Sequence, residues 1–384
     1  MYVGYCIIYG FITQMSTFYI DSAYFDSKYL KNKLLDKKWT EASLEDKSIT
    51  FIYLDGIKAF NKKTYNKKCV LKNDLKVSVK YHKDKWLFYQ AMKERFPNAD
   101  YMPETWEMFD FIRHAAEEKL AEEEEKAQKW RRRRKAAKPK KYYIIRPAAG
   151  RKGMGIQLAK SKYEVKTLAD KFRPAVLIRE AKNKRIYSFV AAKHYDAIVS
   201  RYIMKPMLLN KRVFHIRAYL ILSVITGKFQ AYMVKKGRML TAAEPFDIKR
   251  ADEKKIRDSH LDTTPTDYLF PDDLKLTKSQ EADIMRQARL IMRQVSAVLE
   301  PTVSCYPGID NCFGIYGVDF MISREYKRPK LMLIEINGTD SGFTSKTPDR
   351  HAFFTKMIFD IIFAKFICPT VYGKNSRSTG VWKL

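Results

Sequence analysis

The 384-residue chain lacks most of the features that would place a protein outside the cell or across a membrane. No apolar run approaches the roughly 18 residues that a membrane-spanning helix needs. The opening segment MYVGYCIIYGFITQMSTFYI has neither a basic start nor an A-x-A-like cleavage site, so it is not read as an export signal. Cysteine is scarce: Cys6, Cys69, Cys305, Cys312 and Cys368 are odd in number, scattered, and contain no CxxC pair. That pattern predicts neither a zinc site nor a disulfide framework. It favours an intracellular, reducing compartment, with the cytoplasm first. Acidic residues are also few, 43 Asp and Glu against 73 Lys and Arg, which leaves a formal charge of +30. Such an excess predicts an anionic partner, whether nucleic acid, an anionic membrane surface, a nucleotide or an acidic protein, without choosing among them.

What is present is a globular composition. Hydrophobic residues make up 46% of the chain, with 24 Tyr and 23 Phe, enough to bury two or three cores. Residues 15 to about 80 read as a small α/β unit opening on the strand STFYID, so that Met15 is expected to be the true start. A helix is expected in DKWLFYQAMKERF, ended by Pro97, followed by a loop YMPETW and a second helix. From 115 to 141 the composition runs from acidic to basic, as in a solvated helix with Glu122 and Lys126 four residues apart. Its run Arg131 to Arg134 reads either as an electrostatic patch or nuclear signal, or as a solvated helix end. KYYIIRPAAGRKGMGIQLAK is a strand, a glycine-rich loop and a strand. It is neither a dinucleotide fingerprint nor a P-loop, but its backbone N–H groups suit phosphates, assisted by Arg146 and Lys152. A β-rich region follows, in which Arg217 within an apolar strand demands an anion. A helix over about 277–300 then leads into a hairpin.

That hairpin carries the strongest signal. In LMLIEINGTDSG, Glu335 and Asn337 are two apart and share a face of one strand. In the preceding strand GIYGVDFMIS, Asp319 interrupts an apolar run and needs a compensating cation or donors. If register brings the three together, they form a set of hard oxygen ligands suited to Mg²⁺. The apolar helix HAFFTKMIFDIIFAKFI closes the chain.

Taken in order, DKWLFYQAM…MPETW, IIRPAAGRKGMGI, RYIMKPMLL, KRVFHIRAYL, AAEPF, VLEP, FGIYGVDFMIS and LIEING resemble the tubulin–tyrosine ligase-like family. The resemblance covers most of residues 15–365. It implies an α/β (α+β) ATP-grasp fold with two lobes clamping ATP. The implied division is an N-terminal α/β domain over 1–80, a central lobe over 81–205 with the charged insertion near 115–141, a C-terminal lobe with the metal site over 206–370, and a tail over 371–384. Carried over by position, Asp319, Glu335 and Asn337 match the magnesium ligands. Arg146, Lys152, Gly153 and Gly155 match phosphate-contacting positions, with Arg146 standing where a lysine is usual. Tyr202, Ile203 and Lys205 match the segment that borders adenine, and Arg217 matches the arginine facing the γ-phosphate and the reacting carboxylate. The substrate side departs from the pattern. His215 replaces an Asp, Leu240 replaces an arginine for which Arg238 can substitute, and the H-L-T-N element reads His260-Leu261-Asp262-Thr263.

The implied activity is ATP- and Mg²⁺-dependent ligation of a free amino acid, tyrosine first, to a carboxylate of tubulin or another acidic tail. A carboxylate is a poor electrophile, so ATP must first convert it to an acyl phosphate. Glutamate or glycine ligation is the alternative within the family, and a non-catalytic basic protein binding nucleic acid or microtubules is the alternative outside it. No membrane partner is expected. Because STFYID supplies its own strand start, removal of residues 1–14 should leave the melting temperature and ATP binding unchanged. A large fall in melting temperature would show that this segment pairs into the sheet.

Overall fold

The β-branched and aromatic run of residues 212–225 forms a 14-residue strand at the centre of a mixed sheet. In the computed structural model of the chain, the described residues are 16–20, 25–43, 46, 49–53, 70–72, 81, 84–128, 141–148, 155–169, 175–181, 184–189, 197–257, 268–305, 309–338, 348–372 and 380–384. Their strands, in chain order, are β1 (Thr17–Ile20), β2 (Thr40–Glu41), β3 (Phe51–Tyr53), β4 (Val70–Lys72), β5 (Thr105–Glu107), β6 (Tyr143–Pro147), β7 (Gln157–Ala159), β8 (Ala175–Ala181), β9 (Lys184–Phe189), β10 (Ala197–Arg201), β11 (Leu208–Leu209), β12 (Arg212–Ile225), β13 (Lys228–Val234), β14 (Gly237–Thr241), β15 (Tyr268–Phe270), β16 (Asn311–Ser323), β17 (Lys330–Asn337) and β18 (Val381–Lys383). The large sheet runs β15-β14-β12-β16-β4-β3-β1-β2, with β13 and β11 also on β12, β17 on β16, and β18 on β13. A smaller sheet has the order β5-β10-β6-β7. The fold is mixed α/β. YMPETW, expected as a loop, contributes β5 instead, because Thr105, Trp106 and Glu107 pair with Ser200, Val199 and Ile198 of β10.

Strand alternation sorts the large sheet into two faces. Ile216, Ala218, Leu220 and Leu222 of β12 join Val318 and Phe320 of β16 in a core covered by Ile284, Ala288, Ile291 and Val295 of the helix Lys278–Leu299. That helix starts at a reciprocal cap, in which Gln280 N–H donates to Thr277 Oγ1 and Thr277 N–H to Gln280 Oε1. Tyr219 and Ile221 point the other way, into a core with Phe354, Ile358 and Phe366 of the closing helical segment and with Leu30 and Leu34 of the helix Phe25–Asp36. Arg217 lies on this second face.

Two local features set the hairpin's geometry. Asp319 opposes Glu335 but Phe320 opposes Leu333, so Ile334 is the extra residue of a β-bulge. Without it, alternation would put Leu331 and Leu333 on the face of Glu335. With it, they join Ile336 in the first core. At Gly237, a Cβ would lie 2.7 Å from the Arg217 carbonyl oxygen, so glycine permits β14 to close on β12.

The cysteines differ from the expectation. Cys305 and Cys312 form a disulfide with Cα atoms 5.7 Å apart. The 3₁₀ turn Glu300–Thr302 returns the chain after the long helix to the start of β16, and sequence spacing alone does not disclose that return. Cys368 is buried as a free thiol.

Neighbouring residues of the 278–299 helix test its buried face. Ile291 is 1% exposed and Leu290 is 52% exposed. Ile291→Ala should cost about 2–5 kcal/mol in urea unfolding, whereas Leu290→Ala should stay within about 0.5 kcal/mol of the parent. Equal losses would contradict the assigned orientation.

Candidate active site

Four charged residues lie in one row across the second face of the sheet. Register places Arg238 of β14 opposite Arg217 of β12, Arg217 opposite Asp319 of β16, and Asp319 opposite Glu335 of β17. Asp319 is only 3% exposed, and its charge is met by a two-pronged contact. Arg217 Nε donates to Oδ1 at 2.5 Å and its terminal nitrogen to Oδ2 at 3.0 Å. Burial opposes the charge on Arg217, but the adjoining Asp319 carboxylate outweighs it and raises the guanidinium pKa. Asn337, opposite Gly317, donates its Nδ2 to Asp319 Oδ2 at 2.9 Å. The three expected oxygen donors are thus on one face and in adjacent register positions.

Glu335 is the junction with the smaller sheet. Its Oε2 lies 3.7 Å from Lys85 Nζ and 3.9 Å from a terminal nitrogen of Arg146. Arg146, on β6, also donates to the Ile334 carbonyl at 3.4 Å and to Ser200 Oγ at 3.3 Å. Burial lowers its pKa, and Glu335 offsets part of that effect. Lys85 is the functional candidate that sequence reading missed. It occupies the first position of the helix Lys85–Arg95, behind the cap Asp84, whose Oδ1 accepts from Trp86 and Leu87 N–H. A cation there opposes the helix dipole, and that is the signal which marks it. Burial lowers the Lys85 pKa, Glu335 works against the shift, and Arg146 adds to it. A small cavity between these groups is lined by Lys85, Arg146, Leu333, Glu335 and Ile336.

Next to it, sharing Met102 and Pro103, is a cleft of about 340 Å³ lined by Tyr202, Ile203, Arg201, Glu325 and Met332. Burial pushes the Tyr202 hydroxyl up to about 12. Lys205 is not in the cleft lining. Its side chain is exposed, and its backbone N–H, like that of Met204, donates to Glu325. His215 and Leu240 face each other one step along the strands from Arg217 and Arg238, and His215 is buried. Gly155 has φ of +74°, and a Cβ there would meet Pro147 at 2.9 Å, so the end of the glycine-rich loop packs against β6 as only glycine allows. Lys152, Gly153, Thr263 and the run Arg131 to Arg134 lie outside the described residues.

The donor set fits magnesium. Among the described residues no cluster combines three His, Cys, Asp or Glu side chains. Two carboxylates and an amide oxygen are a hard set that leaves coordination positions for water and phosphate, as Mg²⁺ prefers. Lys85 and Arg146 add positive charge beside it, where anionic oxygens would approach. Among the described residues no helix is long and apolar enough to cross a membrane.

Similarity to known proteins bears on the same residues. The sequence profile of the Tubulin-tyrosine ligase family matches residues 62–267 and 272–376. A probable tubulin–tyrosine ligase of Schizosaccharomyces pombe is 27% identical over 216 residues, covering 50% of this chain and 50% of that protein. A probable tubulin–tyrosine ligase of Saccharomyces cerevisiae is 23% identical over 277 residues, 62% of this chain and 34% of the relative. A tubulin glycylase of Drosophila melanogaster is 24% identical over 159 residues, 37% and 21% respectively. The chain therefore spans half or less of the length of these relatives. The profile covers most of the chain and includes every residue of the charged row, and the chain belongs to the tubulin–tyrosine ligase family.

Proposed function

We propose that the chain is an ATP-dependent ligase that joins a free amino acid to a carboxylate of an acidic protein tail such as that of tubulin. The observation that carries this reading is the register that sets Asp319 opposite Glu335, with Asn337 bonded to Asp319 and Arg217 paired to it. In this reading the segments 81–205 and 206–370 are the two lobes of an ATP-grasp fold. Asp319, Glu335 and Asn337 would hold Mg²⁺, and ATP when bound supplies the activation of the acceptor carboxylate as an acyl phosphate.

The chain's own residues provide binding and charge. Arg146 and Lys85 flank the metal ligand Glu335 and offer cations to phosphate oxygens. The glycine-rich loop ending at Gly155, with Lys152 and Gly153, would cover those phosphates. Tyr202 and Ile203 line the cleft next door, whose mixed polar and apolar walls have room for an adenine ring, and Lys205 would serve at its margin. Arg217, fixed by Asp319, faces the reacting carboxylate, and its neighbour Arg238, two residues before Leu240 on the same strand face, provides a second buried cation that can substitute for the arginine expected at 240.

Tyrosine is the favoured amino acid, because two of the relatives carry that name. Glycine is the second reading, supported by the glycylase relative and by Leu240, which leaves one side of the pocket less polar. The +30 charge suits an acidic acceptor captured by long-range attraction.

Glu335→Gln removes a metal-directed charge without changing shape. It should lower ATP-dependent ligation by about 10²–10³, the usual cost of one such electrostatic contact, while the melting temperature stays near that of the parent. Undiminished turnover in the purified variant would remove the metal assignment. Acceptor capture should also weaken as salt rises, since exposed charges are screened beyond about 8 Å at physiological ionic strength. Affinity for a glutamate-rich peptide that does not change with salt would contradict the electrostatic account.

A further inference from the structure

The outer face of the 278–299 helix carries a charge pattern that helix stability does not explain. At about 100° per residue, Arg286, Arg289, Leu290 and Arg293 fall within an arc of roughly 100°, opposite the buried stripe of Ile284, Ala288, Ile291 and Val295. All four are exposed, Leu290 by 52%. Arg289 and Arg293 are four apart, an arrangement of like charges that disfavours a helix by about 0.2–0.5 kcal/mol. No acid stands three or four positions from either, where Met285, Arg286, Leu290, Met292, Ser296 and Ala297 are found. The helix dipole does not account for them, because the last turn contains no basic residue. Asp283, at the margin of the arc, is already held by Arg286 and by Gln287 Nε2.

The stripe continues onto the β16–β17 turn. Gln287 donates to the Pro329 carbonyl at 3.2 Å and accepts from Leu331 N–H at 2.8 Å, so the turn is fastened to the helix. That turn exposes Arg324, Lys327 and Arg328 beside Glu325, whose carboxylate accepts from Met204 and Lys205 N–H, and Arg328 helps to keep Asp283 ionised. On the other flank, Arg289 donates to the Lys383 carbonyl of β18. The helix covers the sheet face of Ile216 and Leu220, whereas Arg217 and Asp319 belong to the opposite face. The arginine arc of the helix is therefore outside the candidate active site, while Glu325 and Tyr326 of the turn line the cleft beside that site.

We infer that the outer face of the 278–299 helix, with the β16–β17 turn, is a docking surface for an acidic polypeptide segment that carries an apolar side chain. Charge complementarity selects an anionic partner. The exposed Leu290 inside the arginine arc selects a polypeptide over a phosphate backbone, which has no apolar group to place there. The partner class rests on the proposed acidic acceptor, and docking here would hold that protein while its tail enters the site on the other face.

The test measures binding of a short glutamate-rich peptide containing one leucine, labelled with fluorescein, to the full chain. Arg289→Glu with Arg293→Glu should weaken the peptide by about tenfold or more, roughly 1.4 kcal/mol, and flatten its salt dependence. The neutral pair Arg289→Gln with Arg293→Gln should lose less, and ATP titration and helical circular dichroism should be unchanged in both. Leu290→Ala should weaken the peptide but not a short DNA duplex. Unchanged peptide affinity in the folded double variants would overturn the inference. So would a duplex that binds more tightly than the peptide and is lost in the same variants. Failure of the ligase reading is separable, because docking would then persist in the parent and in Glu335→Gln while no amino acid is transferred.

Discussion

The site depends on a charge buried mid-strand. Asp319 sits in β16 between Val318 and Phe320, both in the core, and such a position is tolerable only with a compensating cation or hydrogen-bond donors. Arg217 supplies it through two hydrogen bonds, and removal of one partner from a buried pair of this kind typically costs about 3–5 kcal/mol. The pair fixes the register between β12 and β16, because a slip of one residue would turn one of the two side chains to the opposite face and leave the other buried alone. Everything nearby is arranged around it: Arg238 follows Arg217 through the close approach at Gly237, and Glu335 reaches Asp319 through the bulge at Ile334.

The bulge links the sheet to the rest of the site. It sends Leu331 and Leu333 into the core and turns Glu335 toward Lys85 and Arg146, which come from the smaller sheet and its preceding helix. Two parts of the chain far apart in sequence thereby share one carboxylate. In the proposed reading, a metal-bound phosphate would lie at this junction, so nucleotide binding and the relative placement of the two parts would be linked through Glu335. The basic stripe on the 278–299 helix, on the other sheet face, would add capture without interfering with that junction.

Much of this was legible in the sequence where short-range rules apply. Glu335 and Asn337 share a face by simple alternation, and the lone acid Asp319 in an apolar strand announced a buried partner. The order of eight motifs gave the family, and the capped helix at 278–299 was readable to within a residue at each end. What was not legible depends on long-range pairing. The bulge at Ile334 follows from packing of Leu331 and Leu333 against the long helix, which no local pattern reveals. Lys85 carries only the weak signal of a cation at a helix start, and its link to Glu335 appears once the two sheets are in place. Cys305 and Cys312 looked unrelated because the turn between helix and strand brings them together. The segment YMPETW reads as a loop because Pro103 dominates it locally, and β10 recruits Thr105 to Glu107 as a strand.

In the proposed reading, the substrate side is formed by His215, Leu240 and the pairing of Arg238 with Arg217. These residues form one patch by register, so a change of amino acid or acceptor would be felt there first. The most direct measurement is intact-mass spectrometry of an acidic tubulin-tail peptide incubated with the protein, ATP, Mg²⁺ and a mixture of amino acids. The account predicts a mass increase equal to one amino-acid residue, dependent on ATP and absent with Glu335→Gln. An unchanged peptide mass with a folded, ATP-binding protein, across tyrosine, glycine and glutamate, would contradict it.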